Sequence, residues 1–138
     1  MSRILAIDFG LKRCGIAITD ENNIIASPLE TIDSQKLIPY LMTVIEEKGI
    51  GTIVIGDPKK MDNSDTHITA NVRLFESELK ELFPTINVVK YDERFTSIMA
   101  SQTLSLGGAK RKQKHTKENL DKISAAILLQ SYMKRNEK

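Results

Sequence analysis

RILAIDFGLKRCGIAI, Arg3–Ile18, is the stretch on which the fold turns. Arg3–Asp8 is an apolar run of the kind that makes a buried strand, yet it closes on a carboxylate. Gly10, Lys12, Arg13 and Gly15 follow at once, and Cys14–Thr19 returns as a second apolar run. Glycines permit a tight reversal, and two cations beside it suit an anion such as a phosphate.

Working outward, Ile24–Thr31 reads as a third strand. It is joined to the second by the turn-forming DENN of Asp20–Asn23, which predicts an antiparallel meander. SQKLIPYLMTVIEEKG then changes to helical period, with Leu37, Leu41, Val44 and Ile45 on one side. Pro39 belongs in a first turn, so this helix is expected to begin near Lys36, and Gly49 is its natural stop. GTIVIGDP, Gly51–Pro58, is a wholly apolar strand of the central parallel type. A second helix carries Ile68, Val72, Phe75, Leu79 and Leu82 on one stripe, and INVVKYDERF gives a fifth strand. A helix over Ser97–Leu106, capped by Thr96 and stopped at Gly107 and Gly108, precedes a last helix in ENLDKISAAILLQSYMKR. The order β-β-β-α-β-α-β-α-α predicts an α/β fold: a five-stranded mixed sheet with helices on both faces. Lys59–Thr66, Gly107–Thr116 and the tail Lys134–Lys138 are expected to lie outside the packed body.

The 138 residues suit a single domain spanning 1–138, given that domains cluster at roughly 100–150 residues. One cysteine, Cys14, excludes an intrachain disulfide and reads as a packed core thiol. No signal pattern and no membrane-length apolar stretch is present, so a cytoplasmic protein is expected. A net charge of +2 says little about partners. Its distribution says more, because KRKQKHTK, Lys110–Lys117, contains no acid. That run reads either as a solvated loop or as a contact for an anionic partner.

Acids at strand ends or on an apolar helix face require a reason. Asp8 closes the first strand, Asp57 the fourth, and Asp92 and Glu93 the fifth. Asp121 lies where the last helix turns apolar, on a face with Ala125, Leu128 and Tyr132. Were the first strand central and its neighbours parallel, these acids would converge along one rim. The small Ser124, Ala125 and Ala126 would let the last helix approach it. Converging carboxylates repel unless a hard cation such as Mg²⁺ joins them, and two such ions can clamp a phosphodiester. Each acid also has an ordinary reading. Asp8 could accept N–H groups of its turn, Asp57 is a common residue before proline, Asp92 could pair with Arg94 or cap a helix, and Asp121 suits a first helical turn. Phe9, Tyr91 and Phe95 flank the rim as core residues. His67 and His115 lack partners at zinc-ligand spacing.

DFGLKRCGIAI, IVIGDPKKMDNS, YDERFTS and DKISAAILLQSYM together resemble the four signature blocks of the YqgF family. These are ribonuclease H-like proteins related to Holliday junction resolvases and described as nucleases of precursor 16S rRNA. The resemblance runs from about Ile4 to Tyr132. It implies a ribonuclease H-like fold and an acidic Mg²⁺ or Mn²⁺ site of Asp8, Glu93 and Asp121. The implied activity is hydrolysis at the 5′ end of precursor 16S rRNA in ribosome maturation. Arg94, Thr96 and the loop with Lys110, Arg111, Lys112 and Lys114 match positions near the nucleic acid. Lys12, Arg13, Lys59 and Lys60 add cations in loops near the rim. The fourth-strand block departs from the family's usual apolar and Asn residues, holding Asp57, Lys59 and Lys60, and Asp57 offers the metal a further carboxylate. Structured RNA or branched DNA are the expected partners, with ribosomal particles beside them and no membrane; the oligomeric state is left open. The alternatives are a Holliday-junction-type resolvase and a non-catalytic RNA- or ribosome-binding module. The opening also resembles the first phosphate loop of actin-like ATPases and sugar kinases, which close two such domains over a nucleotide where this chain can make one.

Overall fold

The computed structural model describes residues 2–10, 12–57, 67–92 and 117–135. Strands β1 (Arg3–Asp8), β2 (Arg13–Thr19) and β3 (Ala26–Asp33) form the meander expected from their apolar runs. β1 pairs antiparallel with β2, and β2 with β3. β4 (Ile50–Asp57) and β5 (Asn87–Asp92) complete a five-stranded sheet in the order β3-β2-β1-β4-β5. β4 runs parallel to both β1 and β5, so β1 is the central strand.

β3 starts two residues later than its apolar sequence suggests, and the reason is the turn before it. The Asp20 carboxylate accepts the backbone N–H groups of Ile24 at 2.7 Å and Ile25 at 3.0 Å, while Asn23 is left-handed at φ 55°. Those two N–H groups serve the turn, and both isoleucines stay exposed.

A short 3-10 turn, Ser34–Lys36, leads into α1 (Leu37–Lys48), which keeps Pro39 in its first turn. Gly49 ends α1 at φ 67°, its N–H donating to the Ile45 carbonyl at 3.1 Å. α2 (His67–Leu82) buries Val72, Phe75 and Leu79. Leu82 does not join that stripe: it is exposed at the helix end, where the chain turns toward β5. α3 (Lys117–Arg135) is the helix expected in ENLDKISAAILLQSYMKR, and its last residues Lys134 and Arg135 are exposed, outside the packed body. The helix expected over residues 97–106 and the loops 59–66 and 107–116 lie outside the described residues.

Strand alternation divides the core between two faces. Leu5, Ile7, Cys14, Ile16, Ile53, Ile55 and Val88 pack with α1 and α2 on one side. Ala6, Ala17, Val54 and Tyr91 pack with Ala125, Leu128 and Leu129 of α3 on the other. Alanine at 6, 17 and 125, all fully buried, brings α3 close to the sheet; Ser124 is exposed and takes no part. The Tyr91 hydroxyl lies 2.8 Å from Ser131 Oγ, tying α3 to the end of β5.

Candidate active site

Parallel pairing fixes where three acids stand. Ile7 of β1 is level with Ile55 of β4, and Asp57 of β4 is level with Asp92 of β5. Asp8, Asp57 and Asp92 therefore occupy the carboxyl ends of three adjacent parallel strands, at one edge of the sheet. This is the edge at which open α/β sheets bind ligands. Asp121 sits in the second turn of α3, four residues before the buried Ala125. Glu93 follows β5 directly in sequence and lies outside the described residues.

Asp8 stands between glycines. Its register partner in β2 is Gly15, and Gly56 follows the Ile7–Ile55 pair in β4. Neither neighbour brings a side chain to its level, so the backbones of β2 and β4 come close to Asp8 without one.

The turn after Asp8 is tight. A Cβ added to Gly10 would lie 2.4 Å from the Arg13 carbonyl oxygen, so only glycine fits without displacing backbone. Lys12 is exposed on this turn, whereas Arg13 is the first residue of β2 rather than part of a loop, level with Asp33 of β3. Phe9 turns away from the edge and stacks on Phe75 at 5.1 Å between ring centres. Tyr91 is buried against α3, so both rings serve the core, as their sequence setting suggests. Cys14 is fully buried, with its thiol 3.4 Å from Ser34 Oγ.

Lys59, Lys60, Arg94, Thr96, Lys110, Arg111, Lys112 and Lys114 lie outside the described residues, as do Phe95 and His115. Among the described residues, no group of three or more His, Cys, Asp or Glu could hold a metal ion. No described helix is long and apolar enough to cross a membrane. Ser34 was not visible in the sequence as a site residue. It reaches the Gly10–Arg13 turn from more than twenty positions away, and no local spacing signals such a contact.

Residues 2–135 match the RuvX family, described as Holliday junction resolvase. The chain belongs to the RuvX family. This is the YqgF family that its four blocks resemble. Among the relatives of this RuvX-family chain, a Phocaeicola vulgatus protein is 42% identical over 133 residues, covering 96% of each chain. A Flavobacterium psychrophilum protein is 45% identical over 135 residues, covering 98% of each. Both carry the name "Putative pre-16S rRNA nuclease". Among solved structures, Thermus thermophilus RuvC in complex with a Holliday junction substrate aligns with a TM-score of 0.63 at 10% identity, covering 98% of this chain and 96% of that one. The fowlpox virus Holliday junction resolvase aligns with a TM-score of 0.54 at 13% identity, covering 96% of this chain and 99% of that one. At such identities the likeness is one of fold, and the fold is ribonuclease H-like, as expected from the sequence.

Proposed function

We propose that this chain is a divalent-metal-dependent nuclease that hydrolyses phosphodiester bonds of precursor 16S rRNA in the cytoplasm. The observation that carries the reading is the glycine-flanked carboxylate of Asp8 at the carboxyl edge of three parallel strands. Membership of the RuvX family supports a nuclease, and the names of its relatives favour precursor 16S rRNA as the substrate.

Strand period supports a choice among the acids. Asp8 shares parity with Ala6, whose neighbours are on the α3 side of the sheet. Tyr91 is on that side too, whereas the backbone positions of Asp57 and Asp92 share the parity of Ile55 and Val88 on the opposite side. Asp121 is carried by α3 itself. The metal centre in this reading is the set Asp8, Glu93 and Asp121 that the family blocks imply, with Asp57 a secondary contributor. Every member is a carboxylate, the hard oxygen donor that Mg²⁺ and Mn²⁺ take. When bound, such an ion supplies Lewis-acid stabilisation of phosphodiester oxygens and lowers the pKa of an attacking water.

The chain's own residues bind and orient. Lys12 and Arg13 follow Asp8 closely in the chain and neutralise phosphates flanking the scissile one, and the acid-free run Lys110–Lys117 offers further cations. Contacts of this type hold a backbone in register without reading its sequence.

A second reading, resolution of branched DNA, is favoured by the description of the family. Purified protein incubated with precursor rRNA fragments and with four-way DNA junctions, with and without Mn²⁺, separates the two. Mn²⁺-dependent cleavage of the rRNA fragment alone supports the first reading. Cleavage of the junction alone supports the second, and no cleavage of either leaves a binding module.

A further inference from the structure

We propose that Ser34 is a positioning residue for nucleic-acid binding, holding the Gly10–Arg13 turn from the far end of β3. Its hydroxyl donates to the Gly10 carbonyl at 2.7 Å, and its backbone N–H donates to the Lys12 carbonyl at 2.8 Å. Serine has one hydroxyl proton, and Gly10 takes it. The Cys14 thiol, 3.4 Å from Ser34 Oγ, is then the donor of that contact, and its own distance to the Gly10 carbonyl is 3.8 Å. A chain of donors thus runs from a fully buried thiol through Ser34 to the turn.

Two alternate carbonyls of a short turn are tied to one residue, and the peptide planes that carry them are fixed with them. Lys12 and Arg13 leave the sheet edge from those planes. Without Ser34 Oγ the Gly10 carbonyl keeps only the longer Cys14 thiol contact at 3.8 Å, and the two cations take more orientations beside Asp8. Binding through them then costs more ordering. The proposal rests on reading this turn as a phosphate contact.

The test uses the full chain and a fluorescently labelled hairpin RNA in EDTA, so that no cleavage occurs. Anisotropy titrations across about 50–200 mM KCl give Kd and its salt slope. Ser34→Ala is expected to bind about fivefold more weakly. Its salt slope should be shallower by roughly one. Ser34→Thr, which keeps the hydroxyl, should return to within about twofold of wild type. Melting curves accompany each variant. Wild-type affinity and slope in Ser34→Ala overturn the proposal, as does a weakening that Thr does not rescue and that follows the loss of melting temperature. The Lys12→Ala/Arg13→Ala variant distinguishes the levels of failure. If it loses affinity while Ser34→Ala does not, only the positioning role falls. If neither loses affinity, the turn is no phosphate contact and both fall.

Discussion

Gly10→Ala perturbs the turn that joins Asp8 to β2 by a single methyl group. Its Cβ would stand 2.4 Å from the Arg13 carbonyl oxygen, whereas close carbon–oxygen contacts lie at about 3.3–3.6 Å. The backbone must open by roughly 1 Å to restore that separation. Neither side yields easily. Arg13 is held in β2 opposite Asp33, and Ser34 grips the Gly10 and Lys12 carbonyls from outside. Forced overpacking of this kind costs roughly 1–3 kcal/mol. For a chain of this length that lowers the melting midpoint by about 3–10 °C. With an ordinary native stability of about 5–15 kcal/mol, at least about 95% of the variant remains folded at room temperature. A functional loss measured there reports the displaced turn, not unfolding. Cleavage of a precursor rRNA fragment with Mn²⁺ should fall about 10- to 100-fold, the usual consequence of a misplacement near 1 Å. Circular dichroism melts and gel-based cleavage rates on the same preparations provide both readings. A variant that melts within about a degree of wild type and cleaves at its rate would refute the reasoning.

Three further outcomes follow from the packing and the edge. Ala125→Leu inserts carbons where α3 meets Ala6 and Ala17, all fully buried, and should cost about 1–3 kcal/mol in urea melts. The same change at the exposed Ser124 should stay within about 0.5 kcal/mol. Asp20 has its carboxyl held below the ordinary range by the Ile25 and Ile24 N–H groups. Its contribution is present above the ordinary carboxylate pKa and disappears as pH falls through the lowered one, so Asp20→Ala should destabilise at pH 7 and converge on wild type in strong acid. Glu93→Gln should lower Mn²⁺-dependent cleavage far more than Asp57→Asn, and equal losses would contradict the choice of Glu93 over Asp57 for the metal centre.

The opening stretch was legible because its signals are local. A continuous apolar run and the Asp8 carboxylate gave β1 its limits, and the reversal at Gly10 gave the meander its direction. The central place of β1 and the common edge of Asp8, Asp57 and Asp92 followed from parallel pairing of apolar strands. Where nonlocal forces decide, reading by period erred. Ile24 and Ile25 look like strand residues, but the Asp20 carboxylate claims their N–H groups for a turn. Leu82 matches the apolar stripe of α2 and is nevertheless exposed at its end. Ser34 carried no signal, since its role exists only once β3 has returned alongside β2.

The central claim is that Asp8 anchors a divalent-metal centre that cleaves RNA. Calorimetric titration of Mn²⁺ into wild type and Asp8→Asn, with cleavage of a precursor rRNA fragment followed on the same samples, tests it most directly. Saturable Mn²⁺ binding and cleavage in wild type, both lost in a variant with an unchanged melting curve, is the expected result. Equal Mn²⁺ binding and equal cleavage in the two proteins would contradict it.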